Sequence, residues 1–209
     1  MPRILIADDH TIVRRGLIQI LRDGLPSATI EEVEDGEGLL KKVFTGHWDL
    51  VITDLSMPGR NGLEALVQIK QQAPQLPVLV LSIHSADQYS VRALKAGASG
   101  YLTKDAAPNE LVDAVQQLLL GKKYITAAVA EKLADTVQGN QPAVPHEALS
   151  DREFEVLLLI AKGLSISEIA ERLSLSVTTI STYRARVIEK MKLKSNADLI
   201  IYAIENKLI

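Results

Sequence analysis

Runs of aliphatic and β-branched residues alternate with amphipathic stretches between Arg3 and Leu120. The apolar runs predict five strands, at Ile4–Ala7, Thr29–Val33, Leu50–Thr53, Val78–Ser82 and Ser99–Leu102. Apolar residues recur at helical spacing in four of the intervening stretches, around Leu17, Leu66, Leu94 and Val115. Near-continuous apolar strands are typical of a sheet covered on both faces. The pattern predicts an α/β fold of β/α units, with a doubly wound five-stranded parallel sheet.

The pattern changes after Gly121. A modest helical stretch over 127–137 leads into Gln138–Pro145, whose Gly, Pro and polar residues indicate a linker. From Leu149 onward only helical patterns follow. Their starts carry capping signatures, at Ser150 with Glu153, Ser165 with Glu168, Ser195 with Asp198, and Ser176. We therefore expect one domain at 1–122, a linker with a helical segment at 123–146, and a small all-α domain at 147–209.

Composition narrows the classes of function. The chain has 47% hydrophobic and 23% charged residues, which is typical of a folded globular protein. It contains no cysteine, which excludes disulfides, thiolate zinc sites and cysteine nucleophiles. A net charge of -3 excludes a globally basic coat for nucleic acid. The apolar runs are far shorter than the ~20 residues of a membrane helix, so we expect a cytoplasmic protein without a membrane partner.

Acidic side chains follow two strands that should be neighbours in the sheet. Asp8 and Asp9 come after the first strand, and Asp54 comes after the third. In such a sheet, ligands bind beyond the carboxyl ends of the strands, where the strand order reverses. Three carboxylates repel one another unless a cation offsets their charge, and oxygen ligands favour Mg²⁺. The sequence therefore predicts a magnesium site.

Two further polar residues lie at the ends of the fourth and fifth strands. Ser82 offers a hydroxyl and Lys104 an ammonium group. A carboxylate nucleophile, a cation and two donors together form a receptacle for a phosphoryl group. Taken singly, each residue would be an ordinary helix cap or a solvated loop end. Their coincidence at four strand ends favours the phosphoryl site.

Four segments resemble the receiver domains of two-component response regulators, and the whole chain resembles the NarL/FixJ subgroup. The segments are IADDH (Ile6–His10), TDLSMPGRNG (Thr53–Gly62), Leu81–Ser82 and AGASGYLTK (Ala96–Lys104). The resemblance implies that Asp54 accepts the phosphoryl group. It also implies that Mg²⁺ is held by Asp8, Asp9, Asp54 and the backbone carbonyl of Ser56, and that the phosphoryl oxygens contact Ser82 and Lys104.

The same resemblance implies a switch and a partner. Ser82 and Tyr101 would move together when the phosphoryl group arrives, although Tyr101 is also compatible with a half-buried strand residue. His10 and His84 flank the crevice, but magnesium prefers oxygen ligands, so we do not expect either to bind it. The phosphoryl group would come from a sensor histidine kinase. Slow autodephosphorylation would be the only further reaction of the receiver domain.

The C-terminal segment predicts a DNA-binding helix. A helix over 177–190 turns Ile180, Tyr183, Val187 and Met191 inward, and a short helix at Ser167–Leu173 precedes it through a tight connection, as in a helix-turn-helix. Small outward side chains let such a helix enter the major groove of double-stranded promoter DNA, while basic neighbours reach phosphates. The predicted contacts are Thr178, Thr179, Ser181, Thr182, Arg184, Ala185, Arg186, Lys190, Lys192 and Lys194.

This segment resembles the LuxR-type domain. The matching motifs are LSDRE (Leu149–Glu153), AKGLS (Ala161–Ser165), EIA (Glu168–Ala170), LSVTTI (Leu175–Ile180) and KMKL (Lys190–Leu193). The final predicted helix, Ala197–Asn206, carries more apolar surface than a small domain needs. We expect part of it to pair with a second copy, forming a homodimer on activation, while a purely internal packing role stays open.

Rival functions belong to other classes. A phosphohydrolase of the haloacid-dehalogenase type needs a second carboxylate two residues after the nucleophile, where this chain has Ser56. A dinucleotide-binding oxidoreductase needs a G-x-G-x-x-G motif after the first strand, and the chain has none there. A transcription factor that keeps the receiver only for dimerisation stays open. The favoured hypothesis is a DNA-binding regulator, not an enzyme, whose phosphorylation controls dimerisation and promoter binding.

Overall fold

The computed structural model describes residues 1–83, 86–127, 129–131, 133, 144–206 and 208–209. The chain divides into two compact units, Met1–Ala134 and Asp135–Ile209. His84, part of the predicted helical stretch 127–137 and most of the predicted linker 138–145 lie outside the described residues. Among the helices that are described, none has the length and apolar character needed to cross a membrane.

The first unit contains a five-stranded, fully parallel sheet in the order β2-β1-β3-β4-β5. Its strands are β1 (Arg3–Ala7), β2 (Thr29–Val33), β3 (Leu50–Asp54), β4 (Val78–Ser82) and β5 (Gly100–Thr103). The helices between and after them are α1 (Thr11–Gly24), α2 (Gly36–Thr45), α3 (Gly62–Gln72), α4 (Ala86–Lys95) and α5 (Ala107–Leu119). The predicted α/β fold is confirmed, and each strand lies within one residue of its predicted bounds.

Helix α2 was not marked by the sequence pattern. Its first turn holds Gly36 and Gly38, and glycine is among the poorest helix formers. The helix forms because the Asp35 side chain caps it, accepting a hydrogen bond from the Gly38 N–H at 2.6 Å, and because Leu39 and Val43 are buried. Packing against the sheet thus overrides a weak local preference.

The strand register brings the polar strand ends together. Ala7 of β1 pairs with Thr53 of β3, so Asp8 and Asp54 emerge side by side. On the other side, Ser82 of β4 pairs with Thr103 of β5. Strands β3 and β4 are buried at every position, as the near-continuous apolar runs predict. The carboxyl ends of these neighbouring strands therefore form a single site.

The described part of the second unit is helical. After a short 3-10 turn (Pro145–Ala148) come α6 (Asp151–Ala161), α7 (Ile166–Leu173), α8 (Val177–Met191) and α9 (Asn196–Glu205). The three predicted capping boxes are confirmed at Ser150, Ser165 and Ser195, and Ser176 caps α8 by accepting from the Thr179 N–H at 3.0 Å.

A tight turn joins α7 to α8. It is made by residues 174–176, with Ser174 in the left-handed region at a φ of 54°. On α8, Ile180, Val187 and Met191 are buried as predicted, while Tyr183 is half-buried. The helix-turn-helix arrangement predicted from the sequence is therefore present.

Candidate functional site: an acidic pocket and an exposed helix

Three carboxylates meet at the carboxyl edge of the sheet. Ligand atoms of Asp8, Asp9, His10 and Asp54 all lie within 4.8 Å of one another. Asp8 and Asp54 are almost completely buried, at 1% and 2% exposure. The structure thus brings together the residues that the strand ends predict, in a group that could hold a metal ion.

Lys104 bridges two of these carboxylates. Its Nζ lies 2.7 Å from Asp8 Oδ2 and 2.6 Å from Asp54 Oδ2, and its side chain is 8% exposed. The Lys104 backbone N–H donates to the Ser82 carbonyl at 2.8 Å, which ties the loop after β5 to the end of β4. The Lys104 ammonium group therefore lies among the carboxylates at the carboxyl edge of the sheet, as the sequence predicts.

The charges of this pocket do not balance. Burial raises the pKa of Asp54 above its ordinary value, and the nearby charge of Lys104 only partly opposes that shift. Burial also disfavours the charged form of Lys104, but Asp54 and Asp8 outweigh it, so the pKa of Lys104 is raised. The cluster thus holds three carboxylates, and the Lys104 ammonium group contacts two of them. An oxygen-rich donor set with a deficit of positive charge suits a hard divalent cation.

The turn after β1 holds the acidic residues in place. The His10 backbone N–H donates to Asp8 Oδ1 at 2.8 Å, and its Nδ1 lies 2.8 Å from Asp9 Oδ1. The His10 side chain is 62% exposed and sits at the cap of α1. The backbone hydrogen bond to Asp8 and the close contact with Asp9 account for the position of His10 without requiring it to bind metal, in line with the expectation from the sequence.

Arg14 is a residue at this site that the sequence analysis did not identify. Its Nη1 donates to the backbone carbonyl of Asp8 at 2.6 Å, and its Nε donates to Glu32 Oε2 at 2.7 Å. A signal was available, because Arg14 stands three and seven residues before Leu17 and Leu21, on the buried face of α1. A charged residue at such a position needs a buried partner.

The loop after β3 approaches Asp54 closely. The Ser56 N–H donates to Asp54 Oδ1 at 3.2 Å. Gly62 packs against the same segment so tightly that a Cβ there would stand 1.8 Å from the Asp54 carbonyl oxygen. Glycine is therefore required at this position. The predicted role of the Ser56 carbonyl as a ligand stays a prediction.

Ser82 and Tyr101 are both buried beside the pocket. Ser82 is 0% and Tyr101 2% exposed, and their hydroxyl groups are hydrogen-bonded. Burial raises the pKa of Tyr101 to about 12, with the Ser82 hydrogen bond opposing the shift. The Tyr101 ring is thus more deeply placed than a half-buried strand residue, in the position from which coupling to Ser82 is possible.

The second candidate site is the outer face of α8. The small polar and apolar residues predicted to face DNA are exposed: Thr178, Ser181, Thr182 and Ala185. Thr179 is half-buried, and its Oγ1 lies 2.8 Å from Ser176 Oγ. The basic residues Arg186, Lys192 and Lys194 are exposed as well. This face thus presents small side chains with exposed basic residues beside them, the arrangement that the sequence predicts for a helix in the major groove.

Two of the predicted phosphate contacts have partners within the domain. Lys190 Nζ lies 2.6 Å from Glu153 Oε2, and the Glu153 side chain is 3% exposed. Arg184 Nε donates to Asn196 Oδ1 at 2.6 Å. Sequence spacing did not indicate these contacts, because each partner lies on another helix. Lys190 and Arg184 therefore hold α8 against α6 and α9.

Helix α9 divides its apolar residues between core and surface. Leu199 and Ala203 are buried, whereas Ile201 and Ile204 are 54% and 59% exposed. The apolar surface predicted on the final helix is thus present in the structure.

Two known families match the two units. Residues 4–116 match the family described as "Response regulator receiver domain", and residues 147–203 match "Bacterial regulatory proteins, luxR family". Both descriptions name regulators. These matches, with the relatives below, confirm that the chain is a regulator and not an enzyme of the classes weighed from the sequence.

Individual proteins match over the whole chain. "Response regulator UvrY" of Escherichia coli strain K12 is 34% identical over 209 residues, which cover 100% of this chain and 96% of that protein. "Response regulator GacA" of Pseudomonas aeruginosa is 34% identical over 210 residues, covering 100% and 98%. The similarity therefore extends over both units of the chain.

Solved structures agree with these relatives. RcsB from Salmonella enterica serovar Typhimurium, bound to promoter rprA in the presence of phosphomimetic BeF3⁻, matches with a TM-score of 0.63 and 28% identity, covering 97% of this chain and 98% of that one. A structure of two RcsB dimers bound to two parallel DNAs matches with a TM-score of 0.59 and 30% identity, covering 96% and 97%. The chain therefore belongs to the NarL/FixJ subgroup of two-component response regulators, with a receiver domain followed by a LuxR-type helix-turn-helix domain.

Proposed function

We propose that a sensor histidine kinase phosphorylates this response regulator on Asp54, and that the phosphoryl group controls dimerisation and binding to promoter DNA. The observation that carries this proposal is Lys104, which reaches Asp54 and Asp8 at once from the loop after β5. Because the Lys104 ammonium group is already held beside Asp54, it can stabilise the additional negative charge of a phosphoryl group at that residue.

Asp8, Asp9, Asp54 and the Ser56 backbone carbonyl would hold Mg²⁺. The carboxylates supply the oxygen ligands that this ion prefers, and they carry more negative charge than Lys104 neutralises. When bound, Mg²⁺ supplies positive charge to the oxygens of the transferred phosphoryl group.

In the proposed transfer, an Asp54 carboxylate oxygen forms a bond to phosphorus, and the bond from phosphorus to the imidazole nitrogen of the kinase histidine breaks. Lys104 turns from Asp54 Oδ2 to a phosphoryl oxygen, and the Ser82 hydroxyl donates to another. Since Tyr101 is hydrogen-bonded to Ser82, a displacement of Ser82 is passed to the ring at β5. Slow hydrolysis of the aspartyl phosphate resets the site.

The second step is DNA binding by α8. The exposed small residues Thr178, Ser181, Thr182 and Ala185 let the helix lie in the major groove, with Thr179 at its start. We propose phosphate contacts from Arg186, Lys192 and Lys194, and from Arg184 and Lys190 by the parts of their side chains that their partners leave accessible. The RcsB structures bound to DNA support DNA binding by this chain.

Dimerisation is assigned to the exposed side of α9, where Ile201 and Ile204 offer an exposed apolar surface. The proposed domains are the receiver at 1–122, a linker with a helical segment at 123–146, and the DNA-binding domain at 147–209. A promoter-binding regulator acts where the chromosome is, so we propose that the protein works in the cytoplasm.

The test uses the full chain, phosphoramidate as phosphodonor, and Mg²⁺. Wild type should gain one phosphoryl group by intact mass and bind a promoter fragment selected from genomic DNA more tightly, whereas Asp54→Ala should do neither. Asp113→Ala, at an exposed acid on α5, is the matched control and should behave as wild type. Equal stimulation in wild type and Asp54→Ala would favour a regulator that does not depend on phosphorylation, and would overturn the proposal.

A further inference from the structure

Arg14 is a buried cation that the proposed mechanism does not use. It lies near the start of α1, and only 7% of the residue is exposed. Its neighbours on this face of α1, Leu17 and Leu21, are apolar core residues. Burying a guanidinium group costs stability unless it is well paired, and apolar residues of similar volume often serve a core equally well. An arginine here therefore calls for a role beyond packing.

The guanidinium group joins two segments at the edge of the acidic pocket. Nη1 donates to the Asp8 carbonyl at 2.6 Å, and Nε donates to Glu32 Oε2 on β2 at 2.7 Å. The Asp8 N–H in turn donates to the carbonyl of Val33, next to Glu32, at 3.3 Å. The main chain of Asp8 is thus held on both sides, directly before Asp9.

We infer that Arg14 is a positioning residue for the acidic pocket. By holding the Asp8 carbonyl, it sets the directions in which the Asp8 and Asp9 carboxylates point, and so the affinity of the pocket for Mg²⁺. The inference rests on the proposed function, since it takes Mg²⁺ to be the ion that binds there. Residues that orient ligands from outside the ligand set typically contribute roughly ten- to a hundred-fold to metal affinity.

Positioning and simple electrostatics predict opposite results. Removing a positive charge near a cation site strengthens cation binding by Coulomb's law. Loss of positioning weakens it. A lysine in place of Arg14 keeps the charge but lacks the planar fork that reaches two acceptors in fixed directions. The sign of the change in Mg²⁺ affinity therefore separates the two explanations.

The experiment is calorimetric titration of Mg²⁺ into the full chain, as wild type, Arg14→Lys, Arg14→Met and Arg15→Met. Arg15 is the adjacent, exposed arginine, so its substitution removes the same charge without touching Asp8. We expect both Arg14 variants to bind Mg²⁺ roughly ten-fold or more weakly. Arg15→Met should bind as wild type does, or slightly more tightly.

A second readout needs no metal. The His10 N–H donates to Asp8 Oδ1 at 2.8 Å. If Asp8 is less firmly held in metal-free Arg14→Lys, the His10 amide should therefore exchange its hydrogen faster than in wild type. Urea unfolding of each variant shows whether the fold is retained. If Arg14→Met does not fold, Arg14→Lys carries the test.

The outcomes distinguish a failure of the positioning role of Arg14 from a failure of the proposed Mg²⁺ site. Unchanged or tighter Mg²⁺ binding in a folded Arg14 variant, with wild type binding normally, overturns the positioning role alone. Failure of Arg14→Lys to fold makes the side chain a requirement of the fold and also overturns it. If wild type itself does not bind Mg²⁺, the metal site in the proposed function falls, and the role of Arg14 falls with it.

Discussion

Replacing Lys104 with methionine tests the charge balance of the pocket directly. The substitution keeps a side chain of similar length and removes the ammonium group that lies 2.7 Å from Asp8 Oδ2 and 2.6 Å from Asp54 Oδ2. All three groups are buried, so the two carboxylates lose their shared partner in a place where water cannot replace it. We expect the metal-free receiver to become markedly less stable.

The size of the loss follows from these contacts. Removing one partner of a buried ion pair typically costs about 3–5 kcal/mol. Asp54 can escape part of this penalty by taking up a proton, because burial already raises its pKa, so we expect about 3 kcal/mol, the lower end of that range. With a urea m-value of about 2 kcal/mol/M, the midpoint of unfolding should fall by about 1.5 M.

The assay uses the fluorescence of Trp48, the one tryptophan in the chain, which lies in the receiver and donates from Nε1 to the Lys42 carbonyl at 2.8 Å. Its signal follows the receiver during urea unfolding of the full chain in a chelating buffer. Lys122→Met, at an exposed lysine of the same unit, is the matched control and should unfold as wild type does.

Mg²⁺ and pH should both modify the result. Mg²⁺ supplies the missing positive charge, so it should stabilise Lys104→Met more than wild type. A raised pKa means that folded Asp54 binds its proton more strongly than unfolded Asp54, so the stability from this group falls as the pH rises. The deficit of Lys104→Met should therefore shrink as the pH is lowered toward the raised pKa. Equal unfolding midpoints for wild type and Lys104→Met in chelator would refute the reasoning.

Three further predictions concern the described contacts. Lys190→Met removes the charged partner of buried Glu153, which keeps its hydrogen bond from the Ser150 N–H. It should lower the stability of the C-terminal unit by about 1–2 kcal/mol, measured by circular dichroism; the loss is modest because the Lys190 side chain is 41% exposed. Exposed Lys192→Met should leave this stability unchanged. Lys192→Met should instead reduce the slope of log affinity for DNA against log salt by about 0.9, and an unchanged slope would contradict its phosphate contact. Burial raises the pKa of Tyr101 and of Tyr124 to about 12, so both should ionise late in an alkaline titration followed by absorbance. The stability that these two groups contribute should be lost as the pH rises above the ordinary tyrosine pKa. Tyr124→Phe should remove one of the two late-titrating groups.

Local sequence patterns were sufficient to predict those elements whose stabilising features lie within one segment of the chain. The capping boxes at Ser150, Ser165 and Ser195 each satisfy a helix end within four residues. The residues that form the motif in the sequence are therefore the same residues that contact one another in the structure. Strand β4 was equally clear, because the four apolar residues before Ser82 form the continuous apolar run expected of a strand that is buried on both faces. Helix α2 shows the limit, since its two early glycines hide a helix that only packing stabilises.

The sequence by itself determined the kinds of group at the ends of the strands, because parallel strands of a doubly wound sheet all point their carboxyl ends to one edge. From this alone, Asp8, Asp54 and Lys104 could be placed at a single site. The tertiary structure decided which atoms meet there. Contacts such as Lys190 with Glu153 and Arg14 with the Asp8 carbonyl join separate elements, and long side chains choose among several nearby acceptors only when packing has set the distances.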